Sequence, residues 1–118
     1  MRLSTITVLL AILVGCNGSF KETSTEIDLA KLRPLLNAVQ PLIAKGFGAP
    51  QISQIENDFR ALAANEAKRS TFPVVYDGVE TELGVLVRKE DVDTVEIRFL
   101  GTPKLIEKIQ QTMRLVIE

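Results

Sequence analysis

The sequence contains no histidine, no tryptophan and only one cysteine in 118 residues. Without histidine the chain can form no Ser-His-Asp triad, no histidine-ligated metal site and no imidazole proton shuttle. One cysteine cannot form a disulfide within the chain, so the fold must be stabilised by packing alone. Any catalytic or binding role must therefore rest on other side chains.

An excess of positive charge is also lacking. The chain has 14 Lys and Arg against 15 Asp and Glu, for a net charge of −1 at pH 7. Proteins that bind nucleic acid present a basic face, because contacts to phosphate dominate their affinity. The near-neutral balance therefore argues against nucleic acid as a partner.

The longest apolar segment covers residues 3–14, and only Ser4, Thr5 and Thr7 interrupt it. It is about a dozen residues long, well short of the ~20 residues that a membrane-spanning helix needs. Arg2 precedes it, which gives the positive start typical of an export signal. The segment therefore favours a signal peptide over a membrane span.

Cys16 lies directly after this segment, in the run Leu13-Val14-Gly15-Cys16. This N-terminus resembles that of a bacterial lipoprotein precursor, in which such a run forms the lipobox. The resemblance covers about sixteen residues. It implies that residues 1–15 are a signal peptide and that Cys16 is the lipidation site and the first residue of the mature protein. A cysteine thiolate is nucleophilic enough to take up a diacylglyceryl group as a stable thioether.

Three other interpretations of residues 1–16 stay open at this point. The segment could be a core element with Cys16 as an ordinary buried thiol, an uncleaved anchor, or a secretory signal that is cut elsewhere. A core element would show amphipathic patterning, whereas this segment is apolar on all sides. The junction of Gly15 with Cys16 argues against a different cleavage site.

The resemblance also implies where the protein resides. A single acyl chain binds membranes only marginally, whereas lipoproteins of this type carry a diacylglyceryl group and usually a further N-acyl chain. We therefore expect stable lipid anchoring at the cell membrane or envelope. Asn17 follows the cysteine, and the absence of Asp there favours the outer membrane, facing the periplasm, if the organism is Gram-negative.

The remaining residues have the length of one domain. We assign residues 16–25 to the lipidated cysteine and a polar tether, and residues 26–118 to a small α+β domain. The predicted order is α-α-β-β-β-α: an αα-hairpin, a three-stranded antiparallel meander and a C-terminal helix.

Apolar periodicity predicts the two helices of the hairpin. Residues 25–28 have the spacing of a capping box, and a stripe of one helix follows at Leu29, Leu32, Leu36, Val39 and Ile43. Pro34 and Pro41 predict that this helix is kinked or broken before it ends at Lys45 and Gly46. A second helix is expected to begin at Pro50 and to pack against the first.

Alternation begins near Thr71 and predicts the meander. Pro73 places its first strand at an edge, and Asp77 with Gly78 forms a hairpin turn. The predicted inward residues are Leu83, Val85, Val87, Val95, Ile97 and Phe99. The last helix is expected to begin at Pro103 and to lie on the sheet.

Carboxylates gather near the predicted hairpins, at Glu80, Glu82, Glu90, Asp91 and Asp93. A carboxylate pair could do glycosidase-type acid and base work, and an acidic loop could hold calcium. The loop lacks the ligand spacing of a calcium-binding loop, however. Arg88, Lys89 and Arg98 can pair with these acids across strands, which favours solvated acidic turns.

The sequence therefore predicts no catalytic residue, no cofactor and no metal site. It predicts a membrane-anchored lipoprotein whose domain is a non-enzymatic binding or interaction module, with a protein partner in the envelope. A structural envelope component and a small carboxylate-dependent hydrolase are the alternatives.

Overall fold

The computed structural model describes residues 20–117. The predicted signal peptide and Cys16 lie outside the described residues. The strands are β1 (Lys21–Asp28), β2 (Ala67–Tyr76), β3 (Val79–Asp91) and β4 (Thr94–Gly101). The helices are α1 (Leu32–Val39), α2 (Ala49–Ala61) and α3 (Pro103–Ile117), and 3₁₀ turns at Leu29–Lys31 and Gln40–Leu42 flank α1.

The four strands form one antiparallel sheet in the order β1-β4-β3-β2. The predicted α+β class is confirmed, and the predicted meander is its β2-β3-β4 part. The predicted number of strands is wrong, because residues that the sequence assigned to the tether and to a helix cap form β1. The capping box at residues 25–28 is therefore also wrong, since these residues are extended and pair with β4.

The prolines divide the first helical region much as predicted. Helix α1 ends at Val39, directly before the 3₁₀ turn that contains Pro41. The helical region ends at Leu42 rather than at Lys45, which instead pairs with Val75 of β2. Pro50 lies in the first turn of α2, as predicted.

One face of the sheet carries the core together with the three helices. The fully buried side chains of this core include Leu35, Leu36, Phe59, Leu83, Ile97, Phe99, Leu105 and Ile109. Every inward residue that the alternation predicted is buried. The intervening residues of β4 are only partly buried, so the opposite face of the sheet, here called the outer face, is open to solvent.

Candidate functional site

The register of the sheet arranges the outer face in rows that cross all four strands. The central row contains Glu22, Leu100, Gly84 and Thr71, in the order β1, β4, β3, β2. The row on one side of it contains Ser24, Arg98, Leu86 and Arg69. On the other side, Glu82 of β3 lies opposite Pro73 of β2.

Five charged residues of the outer face belong to one chain of ion pairs, here called the ladder. Arg98 donates to Glu22 at 3.1 Å and to Glu96 at 3.2 Å. Arg88 donates to the other carboxylate oxygen of Glu96 at 2.9 Å and also pairs with Glu90. The ladder ties β1, β4 and β3 together, and its two guanidinium groups face three carboxylates. It also holds the pKa of the Arg88 guanidinium above its ordinary value, chiefly through the hydrogen bond to Glu96.

Beside the ladder, a shallow groove with a volume of about 240 Å³ crosses the outer face. Gly84 lines it together with the apolar side chains of Leu86, Leu100 and Phe20. A Cβ atom at Gly84 would lie 3.4 Å from the Leu100 Cβ, so this glycine leaves room beside Leu100. Pockets that enclose small molecules usually measure about 300–1,000 Å³. The groove is therefore better suited to a side chain or a surface than to a drug-sized molecule.

Arg69 and Glu82 also line this groove. Among residues 20–117, neither of them has an ion-pair partner within 4.0 Å. They lie on opposite sides of the row that contains Gly84. The groove thus carries one cation and one anion that the ladder does not neutralise.

The predicted acidic residues do not converge on one site. Glu80 and Glu82 are exposed on the outer face, and Glu90 pairs with Arg88. The Asp91 carboxylate accepts a hydrogen bond from the Asp93 amide at 2.8 Å, and this bond lowers the pKa of Asp91. Within the described part of the chain, no cluster of three or more acidic or cysteine side chains could hold a metal ion.

Arg88 and Arg98 do pair with acids across strands, but their partners are Glu96 and Glu22 rather than the acids near the hairpins. Of those predicted acids only Glu90 pairs with Arg88, and it lies on the same strand. Lys89 instead lies on the inner face, with its ammonium 4.9 Å from the centre of the Phe59 ring. The sequence did not identify Glu22 and Arg69 as parts of the outer face. Both lie in segments whose strands it missed or shortened.

A second concavity, of about 590 Å³, lies at the connection between α1 and α2. The amide side chains of Asn37, Gln40 and Gln51 and the ammonium of Lys45 line it. The Gln51 amide oxygen already accepts the Gly48 amide proton at 2.9 Å, which closes the start of α2. This concavity is wide and open, and Lys45 is the one charged side chain among its lining residues, whereas the groove of the outer face has charged side chains of both signs.

Comparison with models of protein families, with curated proteins and with solved structures found no match for this chain. None of the helices within residues 20–117 is long and apolar enough to span a membrane. The outer face is therefore interpreted from its own geometry.

The ion pairs of Glu96 are expected to make the domain less stable in acid. Burial raises the pKa of Glu96, but the hydrogen bonds and charges of Arg88 and Arg98 outweigh it, so the pKa falls below the ordinary 4.5. A carboxyl group whose pKa is lowered by folding stabilises the fold above its unfolded pKa and loses this effect as pH falls through the folded value. We expect Glu96→Gln to lower the free energy of unfolding by roughly 0.5–1 kcal/mol at pH 7. As the pH drops below 4.5, the free energy of unfolding of the variant should fall less steeply than that of wild type.

Urea unfolding between neutral pH and strong acid measures this effect. Glu80→Gln is the matched control, because Glu80 is exposed and forms no ion pair among the described residues. If the free energy of unfolding of Glu96→Gln changes with pH as that of wild type does, Glu96 does not form the ion pairs described here.

Proposed function

We propose that this protein is a bacterial lipoprotein, anchored at the cell envelope through Cys16, whose α+β domain is a non-enzymatic module that binds a protein partner. The observation that carries the proposal is the position of the only cysteine. It follows a short apolar segment with a positive start, which is the arrangement of a lipobox. If the organism is Gram-negative, Asn17 favours the outer membrane.

The start of the sheet limits how far such a domain can lie from its anchor. Strand β1 begins at Lys21, so residues 17–20 alone separate it from Cys16. Even fully extended, this connection spans at most about 18 Å from Cys16 to Lys21. The β1 edge of the sheet would therefore lie close to the bilayer surface.

The outer face supports a binding role for the domain. It is open to solvent, its groove joins apolar side chains to an arginine and a glutamate that have no ion-pair partner among the described residues, and this groove is too small to enclose a drug-sized molecule. A carboxylate-dependent hydrolase needs a general acid whose pKa is raised. The pKa values of Asp91 and Glu96 are lowered instead, so neither of these two carboxyl groups is suited to that role.

The anchor is tested by labelling growing cells with a radioactive fatty acid. We expect Cys16→Ala to lose the label completely, because no other side chain of the sequence offers a thiol. The variant should still fold with the wild-type melting temperature, because residues 20–117 form a packed core of their own.

Ser19→Ala is the matched control for the labelling experiment. It changes a nearby small polar residue of the same segment and should keep the full label. Equal label in wild type and Cys16→Ala would overturn the lipoprotein proposal.

A further inference from the structure

We propose that the outer face binds a second copy of this chain, so that two sheets pack face to face across their Gly84 grooves in a two-fold symmetric dimer. This inference rests on the proposed binding role, because it names the partner that the outer face takes. It is carried by two unpaired charges of the groove, by the position of Gly84 and by the place where the chain enters the sheet.

The two groove charges without an ion-pair partner, Arg69 and Glu82, are self-complementary. Arg69 lies opposite Leu86, and Glu82 lies opposite Pro73. These positions are two residues before and after the central row, in which Thr71 lies opposite Gly84. A single face therefore carries a cation on one side of the row and an anion on the other, as an isologous interface requires.

A two-fold axis that runs along the central row brings these charges together. The rotation reverses the strand direction, so each position on one side of the row faces the corresponding position on the other side in the second copy. Glu82 of the second copy then faces Leu86 and lies between Arg69 and Arg98. The axis also brings Glu22 opposite Glu22 of the second copy. Each of them remains paired with Arg98 of its own chain, so neither carboxylate is an isolated charge.

Gly84 allows the two sheets to approach. Glycine within a strand weakens the strand, and it often marks a bulge, a bend or a place where another backbone comes close. The irregularity of β3 lies between Lys89 and Asp91, away from Gly84, so a bulge does not account for this glycine. On the proposed axis, Gly84 faces its own copy, with Leu100 and Thr71 beside it.

The same axis places both chain starts at one end of the dimer. Lys21 is the neighbour of Glu22, which lies on the central row, and β1 is an edge strand. The axis therefore passes through the β1 edge of both sheets, close to the N-terminal end of each β1. Two chains anchored in one bilayer need such an axis, and confinement to the membrane raises the effective concentration of each copy for the other.

The test measures the oligomeric state of the full chain in detergent and of the Cys16→Ser chain in solution, by sedimentation equilibrium. We expect Arg69→Glu and Glu82→Arg each to raise the dimer dissociation constant about tenfold or more, because each places like charges together. The double variant Arg69→Glu/Glu82→Arg should dimerise more tightly than either single variant, because residue 82 again faces an opposite charge at position 69, while Arg98 is unchanged. Lys104→Glu, an exposed reversal on α3, is the matched control and should have no effect.

The possible outcomes distinguish a failure of the dimer proposal from a failure of the lipid-anchor proposal. A wild-type chain that stays monomeric at its highest soluble concentration overturns this inference, as does a double variant that is no better than the single ones. A chain that is lipid-labelled but monomeric leaves the anchor standing. A chain that dimerises without any label leaves the dimer standing and removes the anchor. Capture of a different protein on the outer face, with no dimer, also overturns the inference.

A cross-link gives a geometric test that does not depend on charge. In the Cys16→Ser chain, Thr71→Cys introduces the only thiol, and the axis places it beside the same residue of the second copy. Packed sheets lie about 10 Å apart, beyond the roughly 7 Å between Cα atoms that a disulfide can bridge, so a short bismaleimide is the suitable reagent. It should give a covalent dimer that is resistant to denaturant. Thr112→Cys on α3 should remain monomeric under the same conditions, and equal cross-linking of both variants would argue against the proposed face.

Discussion

Replacing Phe99 by alanine is expected to bring the domain close to unfolding at physiological temperature. The Phe99 ring is fully buried, and in the sheet Phe99 lies between Thr23 of β1 and Val85 of β3. Truncation of a buried phenylalanine costs about 3–5 kcal/mol, because burial is lost and a cavity remains. A domain of this size has only about 5–15 kcal/mol in total. Urea unfolding of the variant against wild type measures the loss.

Arg98→Ala is the matched control for this change, because it alters the preceding residue, on the opposite face of the same strand. Arg98 pairs with Glu22 and Glu96 in a partly exposed setting, so we expect a cost of at most about 1 kcal/mol. Equal costs for the two variants would contradict the register of β4 and would place core on the face that we describe as open.

Gly46→Ala is expected to destabilise the domain by about 2–5 kcal/mol, through backbone strain and a steric clash together. Gly46 has a φ of +95°, in the region that favours glycine. A Cβ atom there would lie 2.1 Å from the Pro73 carbonyl oxygen and 2.8 Å from the Val74 Cα. The loop after α1 could then no longer keep its pairing with β2. Thermal unfolding, compared with wild type, measures the effect.

Gly78→Ala separates the two causes. Gly78 also has a positive φ, of +77°, but a Cβ atom there would meet nothing within 4 Å. Only the conformational cost remains, which is about 1–2 kcal/mol. If both glycine variants lose the same stability, the close approach of the loop to β2 contributes nothing.

Strands β3 and β4 were predictable because they lie in the middle of the sheet with one buried face. Their inward positions are mostly apolar and their outward positions are mostly polar, so the alternation appears in the sequence itself. The turn at Asp77 and Gly78 joins β2 to β3, and Pro73 does lie in an edge strand. In this part of the chain, local pattern and tertiary environment agree.

Strand β1 was missed because its inner face is hardly apolar. Thr23 and Thr25 occupy inward positions, and only Ile27 is a buried hydrophobic residue. The pattern of β-branched residues at every second position was the available signal. The capping-box spacing competed with it, and β1 extends as a strand because β4 provides a partner 66–80 residues further along the chain.

The residues of the outer face could not be predicted to lie together, because the sequence missed β1 and shortened β2. Glu22 reaches Arg98 only through β1, and Arg69 joins the face only because β2 begins at Ala67 rather than near Thr71. The significance of Gly84 appears only once the register shows what lies beside it. Cross-strand pairs between residues of one meander were predictable, since their separation along the chain is short.

The pairing of the first strand with the last imposes an order on assembly. During synthesis β1 is made first, yet its partner β4 does not begin until Thr94. Any chain that ends earlier contains an edge strand with nothing to pair with, and joining Lys21 to Gly101 closes a long loop at an entropic cost. A shortened or stalled chain therefore cannot complete its sheet. It presents an unpaired strand that can join another chain, so aggregation is the failure to look for in C-terminal truncations.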